Sequence, residues 1–285
     1  MFSDILLTVD YDRTLTAPDS SIPARNIEAI EYFIARGGAF TVNTGRSLPM
    51  ARSFIGKVPV SAPLLLYNGS GAYDLQSGRF TQTFPIGLEP DAFVAELQQL
   101  FPDLLVEIQA VDAHYATRPN QDWELFSENG GCGWRYATPS RIPGPFLKVS
   151  LYGDCGGHSV ASMYQATDAE LARMQAAIDT VKALYGDKVE VFWPCAKIVD
   201  IHAKGVSKCN AARALQQAMG KKYLVCVGDA ENDVTMLEGA DFAFCPADGV
   251  VADRFPNVCG CAEGAVADVI FEKIPEILKN MFICQ

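Results

Sequence analysis

Two carboxylates stand one residue apart near the start of the chain, in the stretch TVDYDRTLT at residues 8–16. They are Asp10 and Asp12, and they follow the apolar run Ile5–Leu7, which predicts a buried strand. Side chains alternate along a strand, so both carboxylates share one face if the strand continues that far. Two such charges repel each other and raise each other's pKa unless a cation lies between them. The pair therefore predicts either a bound cation or an exposed turn.

Two further polar groups follow predicted strands elsewhere in the chain. Thr44, Gly45 and Arg46 come after the run AFTV, and Asp229 and Asp233 come after the run YLVCV. In an open parallel sheet, ligands bind beyond the carboxyl ends of the strands. Because Mg²⁺ is a hard ion that takes oxygen ligands, we expect these residues to meet around Mg²⁺ at one edge of the sheet.

Strand and helix patterns alternate in the first part of the chain and again in the last part. The first helix pattern has an apolar stripe formed by Ile27, Ile30 and Ile34. Between about Phe84 and residue 195 the pattern changes to short strands, helices and a loop-rich segment. This order predicts an α/β fold with a Rossmann-like parallel-sheet core, residues 1–84 and 195–285, and an inserted α/β cap domain, residues 85–194.

The composition restricts the partners of the chain. The 34 acidic and 23 basic residues give a net charge of −11, which argues against nucleic acid or an anionic membrane as the main partner. The start of the chain does not resemble a signal peptide, and no apolar run approaches the roughly 18 residues of a membrane span. The nine scattered cysteines favour reduced thiols and a location in the cytoplasm. His114, His158 and His202 show no metal-ligand spacing, so we expect each of them to have a structural role.

Four short motifs resemble those of the haloacid dehalogenase (HAD) superfamily. The stretch DYDRT at residues 10–14 is similar to its first motif, usually Asp-x-Asp-Gly-Thr, and VNTGR at residues 42–46 is similar to its second. Lys208 in GVSK is similar to the third motif, and GDAENDVTML, which begins at Gly228, to the fourth. The motif order, the position of the insert and the segment YNGSGAYD, which begins at Tyr67, resemble the Cof-type, class IIB sugar-phosphatase-like branch.

The resemblance implies a phosphomonoester hydrolase that forms an aspartyl-phosphate on Asp10. Asp12 would protonate the leaving alcohol and then deprotonate the hydrolytic water. Thr44, Gly45 and Lys208 would bind the oxygens of the phosphoryl group.

The resemblance also implies a Mg²⁺ site. Its ligands would be Asp10, Asp229 and Asp12, the last through its backbone carbonyl. Asn232 and Asp233 would lie at the edge of this site and orient ligands or water. The ion would keep Asp10 ionised and offset the charge of the phosphate.

Two positions depart from the family pattern. Arg13 stands where the first motif usually has glycine, and Asp248 lies in Pro-Ala-Asp where the branch often has Gly-Asn-Ala. Arg13, Arg46 and Asn68 are candidate substrate contacts, because each belongs to a motif or follows one directly.

The resemblance implies a small phosphorylated metabolite, above all a sugar phosphate, as the substrate. We expect a monomer or homodimer that binds neither nucleic acid nor membranes. Two alternatives stay open. A phosphomannomutase-like phosphomutase would return the phosphoryl group of Asp10 to a sugar. A metabolite-binding protein with a vestigial site would use the same fold without turnover.

Overall fold

The computed structural model describes residues 1–129, 131–153 and 165–283, so that His158 lies outside the described residues. In chain order the strands are β1 (Ile5–Val9), β2 (Ala39–Val42), β3 (Leu64–Leu66), β4 (Gly71–Asp74), β5 (Arg79–Thr83), β6 (Leu105–Gln109), β7 (His114–Ala116), β8 (Trp134–Tyr136), β9 (Lys148–Tyr152), β10 (Val189–Cys195), β11 (Ile198–Ala203), β12 (Tyr223–Val227), β13 (Phe242–Pro246) and β14 (Asn257–Val258). The helices are α1 (Ala24–Ala35), α2 (Leu48–Ala51), α3 (Pro90–Leu100), α4 (Gln121–Asn129), α5 (Asp168–Tyr185), α6 (Lys208–Ala218), α7 (Val234–Glu238), α8 (Ala265–Asp268) and α9 (Ile274–Ile283).

The chain divides into two compact units. The first unit comprises Met1–Gly45, Phe54–Gln82 and Ser207–Gln285, and the second comprises Arg46–Ser53 and Thr83–Val206. The predicted boundary at 195 differs from this division, because β11 pairs with β9 inside the second unit's sheet. The chain therefore leaves the second unit only after Val206, while it enters close to the predicted boundary at 84.

A five-stranded parallel sheet forms the centre of the first unit, in the order β14-β13-β12-β1-β2. All residues of β1 are buried, as expected for a parallel strand with both faces covered. Helix α1 buries Ala29, Ile30 and Phe33, whereas Ile27 and Ile34 of the predicted stripe are only half-buried. A separate antiparallel pairing of β3 with β4 belongs to the same unit.

The second unit is built on a six-stranded mixed sheet in the order β10-β11-β9-β6-β7-β8. One face of this sheet packs its apolar side chains against helices α3 and α5 in a single core; from the sheet these are Val106, Ile108, Val149, Leu151, Val199 and Ile201.

The parallel first sheet with the inserted mixed sheet confirms the predicted α/β fold. None of the helices in the described ranges is long and apolar enough to cross a membrane. The described cysteines, which exclude Cys155 and Cys284, are free thiols.

The opposite face of the second sheet carries buried charges. Lys148 Nζ donates to Asp200 Oδ2 at 3.1 Å, and Ser150 Oγ donates to Asp200 Oδ1 at 2.7 Å. On neighbouring strands, His114 Nδ1 lies 2.8 Å from Glu107 Oε1, and both side chains are 0% exposed. Two cations thus face two carboxylates on this face, as buried charges require.

The Glu107–His114 ion pair shifts both pKa values. Burial alone would lower the pKa of His114, but the Glu107 charge, with a smaller contribution from Cys132, raises it to about 9. Burial would raise the pKa of Glu107, but His114, Gln109 and Trp123 lower it to about 2. The pair is therefore fully ionised at neutral pH.

We predict that the second unit loses stability as pH rises from about 6.5 to 9. In this window His114 keeps its proton in the folded chain and releases it in the unfolded chain, so the free energy of unfolding falls by roughly 3 kcal/mol. All three tryptophans, Trp123, Trp134 and Trp193, lie in the second unit, so urea unfolding followed by their fluorescence measures this unit. The control is the double variant Glu107→Gln/His114→Gln, which should show a flatter profile; equal slopes in both proteins would contradict the prediction.

Candidate active site

Asp10 lies directly beyond the carboxyl end of β1, where it is 6% exposed. Its backbone and that of Asp12 are extended, but Tyr11–Leu15 form an irregular turn. Because β1 ends at Val9, the strand that would place Asp10 and Asp12 on one face does not continue that far. Within this turn Arg13 has a φ of +60°, a left-handed conformation that costs a non-glycine residue about 1 kcal/mol or more. Glycine adopts this backbone without strain, whereas Arg13 adopts it at a cost.

Lys208 provides a buried ammonium between two carboxylates. It is the first residue of α6, whose N-cap Ser207 accepts from the backbone of Asn210, and its side chain is 1% exposed. Lys208 Nζ donates to Asp10 Oδ1 at 2.5 Å and to Asp233 Oδ1 at 2.6 Å. Burial by itself would lower the pKa of Lys208, but the two carboxylates raise it above its ordinary value, so the ammonium stays charged.

Asp229 and Asp233 follow β12 in a tight turn. Asp233 Oδ2 accepts from the backbone N–H groups of Asp229 and Ala230 at 3.0 and 3.1 Å. A Cβ at Gly228 would lie 2.6 Å from Asp233 Cβ, so this approach requires glycine. With its other oxygen on Lys208, Asp233 orients the ammonium and the loop.

Three carboxylates gather at this edge of the sheet, because Asp10, Asp229 and Asp233 each place an oxygen within 4.8 Å of the others. Burial raises the pKa of Asp10 well above its usual value; Lys208 lowers it, and Asp233, Asp229 and Asp12 raise it further. Burial and then Asp233 raise the pKa of Asp229 to about 7, against lowering by the Thr14 hydroxyl. The ammonium of Lys208 does not neutralise three carboxylates, so the cluster would attract a further positive charge.

The donor set fits a hard divalent cation. Ligand oxygens of an octahedral Mg²⁺ lie about 2.9 to 4.2 Å apart, given Mg–O distances of about 2.1 Å. The oxygens of Asp233 accept from Lys208 and two backbone N–H groups, which leaves Asp10 and Asp229 as the better ligands. The three buried carboxylates could therefore hold a metal, with Asp10 and Asp229 as its principal side-chain ligands.

Thr44 and Gly45 follow β2 and are fastened to the loop after β3. The backbone N–H of Thr44 donates to Leu65 O at 2.9 Å, and its carbonyl accepts from the N–H of Asn68 at 3.0 Å. A Cβ at Gly45 would lie 2.8 Å from Asn68 Oδ1, so glycine permits this close contact. Thr44 and Asn68 are both buried, and the structure brings Asn68 to the two predicted phosphate-binding residues.

Four further residues that the sequence analysis named are Asp12, Asn232, Arg46 and Asp248. Asp12 is half-buried and its charge acts on Asp10, while Asn232 is half-buried in the turn that contains Asp233. Arg46 donates to Ser53 Oγ at 3.4 Å and groups with the second unit. Asp248 is exposed and accepts from the backbone N–H of Cys261 at 2.9 Å, so this departure from the family pattern closes a loop.

Sequence reasoning gave no role to two buried residues that support the site. Thr14 Oγ1 donates to Asp229 Oδ1 at 2.9 Å, and Asn43 Nδ2 donates to the backbone carbonyl of Lys208 at 2.9 Å. Thr14 thus links the first motif to the fourth, and Asn43 links the second to the third. Both residues stand inside the quoted motifs, which was the signal that could have identified them.

Comparisons with known proteins agree with this geometry. The family model described as haloacid dehalogenase-like hydrolase matches residues 7–251. A presumed phosphatase of Streptococcus pyogenes serotype M6 is 22% identical over 242 residues, which cover 82% of this chain and 83% of that protein.

Solved structures share the whole fold. A haloacid dehalogenase-like hydrolase from Bacteroides thetaiotaomicron has a TM-score of 0.77 and 17% identity, covering 94% of this chain and 98% of that chain. The class IIB sugar phosphatase BT4131 has a TM-score of 0.74 and 16% identity, covering 95% of this chain and 99% of that chain. Since the family model covers most of the sequence, the chain belongs to the haloacid dehalogenase-like hydrolase family.

Proposed function

We propose that this hydrolase is a Mg²⁺-dependent phosphomonoester hydrolase that acts on small phosphorylated metabolites, with sugar phosphates as the expected class. The observation that carries the proposal is the buried contact of Lys208 with Asp10, which lies beside Asp229. Asp10 directly follows the parallel strand β1 and stands two residues before Asp12. The name of the streptococcal relative and the sugar-phosphatase neighbour support the same reaction class.

The reaction needs a nucleophile, a proton donor and an anion site. A carboxylate oxygen of Asp10 attacks phosphorus and forms an aspartyl-phosphate, while the bond from phosphorus to the leaving alcohol breaks. Asp12 gives its proton to the alcohol oxygen and later takes one from water. The water oxygen attacks phosphorus, and the bond between phosphorus and the Asp10 oxygen breaks, which releases phosphate and restores the carboxylate. Lys208, Thr44 and Gly45 hold the phosphoryl oxygens as negative charge moves between them.

The carboxylates of Asp10 and Asp229, with the carbonyl of Asp12, are the proposed Mg²⁺ ligands. When bound, Mg²⁺ would offset the charges of Asp10 and the phosphate. Asp233, which is bonded to Lys208 and to the backbone of its own turn, would keep the ammonium in place as the substrate arrives.

A small anionic metabolite fits the charge of the chain. A net charge of −11 disfavours nucleic acid and anionic membranes, and Lys208 with the metal would supply the local positive charge that a phosphate needs. We also propose that the chain acts in the cytoplasm as a monomer or homodimer, the location because its scattered cysteines favour reduced thiols.

The direct test is phosphate release by the purified chain with Mg²⁺ across a panel of phosphorylated metabolites. We expect free phosphate from one or more sugar phosphates. Conversion of a hexose 1-phosphate to its 6-phosphate without free phosphate would favour the phosphomutase. Binding of the panel without any turnover would favour the vestigial site and contradict the proposal.

Asp10→Asn is expected to abolish phosphate release while the chain stays folded. The amide has the same size but is a poor nucleophile, so the rate should fall by several orders of magnitude. Asp241→Asn is the matched control, because Asp241 is an acid of the first unit that pairs with Arg213 away from the carboxylate cluster. Wild-type rates in the Asp10 variant would refute the role of Asp10.

Mg²⁺ is expected to bind the metal-stripped chain and to raise its thermal midpoint, because it offsets the repulsion within the carboxylate cluster. Asp229→Asn should weaken Mg²⁺ binding in calorimetry by at least about tenfold, since it removes a charged ligand. Glu231→Gln, in the same turn but with a 62% exposed side chain, should bind as the wild type does. Equal Mg²⁺ affinity in the Asp229 variant, or full activity after EDTA, would contradict the metal site.

Arg13→Gly is expected to change substrate choice and leave the chemical step in place. Arg13 is exposed beside the catalytic turn, and its charge already lowers the pKa of Asp248, after the larger effects of burial and of Cys261. We expect kcat/KM to fall by about tenfold for substrates with a second anionic group, and little for a neutral aryl phosphate. The thermal midpoint should hold or rise, because glycine adopts the left-handed backbone without strain. An equal loss of kcat for all substrates would place Arg13 in the catalytic set instead.

A further inference from the structure

Ser47 begins the short helix that follows the predicted phosphate-binding residues. Its side chain accepts from the backbone N–H of Met50 at 3.3 Å and so caps α2, which is only four residues long. A helix this short gains little from its own hydrogen bonds, so its place depends on the cap and on tertiary contacts. Ser47 is 0% exposed, and water therefore does not supply its remaining hydrogen bonds.

His114 supplies the tertiary contact to Ser47. Its Nε2 lies 2.7 Å from Ser47 Oγ, and its Nδ1 lies 2.8 Å from Glu107 Oε1. Because Glu107 keeps the imidazole protonated at neutral pH, both ring nitrogens donate, and Ser47 Oγ accepts from Nε2–H as well as from Met50.

The orientation of His114 is fixed by the groups behind it. Glu107 Oε1 also accepts from Trp123 Nε1 at 2.9 Å, and Glu107 Oε2 accepts from Gln109 Nε2 at 2.7 Å. Glu107 and His114 are 0% exposed, and Trp123 and Gln109 are 2% exposed. The buried bonds to Glu107 hold the imidazole in a single rotamer, so Ser47 receives its bond from a rigid donor.

The same stretch of chain is fastened at its other end. Thr44 is bonded through its backbone to Leu65 and Asn68, and Gly45 sits against the Asn68 side chain. Between these anchors and Ser47 the chain contains only Arg46 as a linking residue. A shift of Ser47 therefore changes the peptide geometry at Gly45 and Thr44 directly.

In the catalytic triad of serine hydrolases, a histidine also lies between a serine and a carboxylate. Two features that such a triad needs are missing here. The hydroxyl of Ser47 is fully buried, and a histidine with a pKa of about 9 holds its proton and cannot act as the base. The geometry instead suits a positioning role, in which His114 affects the substrate only through the residues that it holds in place.

We infer that His114, held by Glu107, is a positioning residue that fixes Ser47 and thereby sets the conformation of Thr44 and Gly45 for phosphate binding. The inference rests on the proposed function only for the role of Thr44 and Gly45. The contact of His114 with Ser47 and its effect on α2 stand on the structure alone.

Two amide variants, each of which keeps one hydrogen-bond donor, separate the two bonds of His114. His114→Gln keeps a donor at the place of Nε2, facing Ser47, and loses the one that faces Glu107. His114→Asn keeps a donor at the place of Nδ1, facing Glu107, and loses the one that faces Ser47. Ile108→Val is the control for stability, because Ile108 is fully buried on the apolar face of the same strand as Glu107.

Hydrogen exchange at the Met50 amide tests the contact without any reference to activity. His114→Asn should speed this exchange by about fivefold or more, since the cap loses its support, while His114→Gln and Ile108→Val should stay close to the wild type. Unchanged exchange in His114→Asn, or equal acceleration in all three variants, would overturn the inference.

Inhibition by inorganic phosphate and turnover of a small aryl phosphate test the consequence at Thr44 and Gly45. His114→Asn should raise KM and the inhibition constant of phosphate by about tenfold, with kcat changed by less than about threefold, and His114→Gln should restore most of the affinity. Equal phosphate affinity in His114→Asn and wild type would overturn the positioning role.

The two proposals fail in different ways. A wild type that neither turns over nor binds phosphate contradicts the proposed function, and the exchange experiment then still decides whether His114 fixes the start of α2. A wild type that is active, with a His114→Asn variant that follows Ile108→Val in every measurement, contradicts the positioning role alone.

Discussion

Lys208 holds a buried ammonium between the carboxylates of Asp10 and Asp233, at 2.5 and 2.6 Å, and the candidate active site is arranged around this charge. A lysine that is 1% exposed must be paired, and removal of one partner of a buried pair costs about 3–5 kcal/mol. The pairing therefore fixes the start of α6, the end of β1 and the turn after β12 relative to one another. Asn43 and Thr14 extend this network to the second motif and to Asp229.

The balance of charge in the candidate site favours the binding of a further cation. The buried carboxylates of Asp10, Asp229 and Asp233 outnumber the one ammonium, and burial with mutual repulsion raises the pKa of both Asp10 and Asp229. A bound divalent cation would offset that repulsion, and in the proposed reaction it would keep Asp10 ionised. On the second sheet each of two buried carboxylates has a cation of its own, because Glu107 pairs with His114 and Asp200 pairs with Lys148.

The sequence predicted the part of the site that follows from short motifs at strand ends. Asp10, Asp229 and Asp233 meet because the parallel strands β1 and β12 bring their carboxyl ends to one edge, and this rule needs only local patterns. Lys208 is the first residue of α6, and its role was implied by the resemblance to the third motif. The sequence did not predict β11, where Asp200 and His202 alternate with apolar residues and hide a strand that is buried on both faces. The predicted boundary at 195 therefore lies before β11, whereas the second unit continues to Val206. The Glu107–His114–Ser47 contact joins residues far apart in the chain through tertiary packing, which no local pattern encodes.

The central claim is that Asp10 carries the phosphoryl group during turnover. The most direct measurement is a rapid acid quench of the wild type during turnover of a substrate that it hydrolyses, followed by mass spectrometry of its peptides. The account predicts one phosphoryl group on the peptide that contains Asp10, and none in Asp10→Asn treated in the same way. Rapid turnover with no phosphorylated peptide, or with the phosphoryl group on a peptide that lacks Asp10, would contradict it.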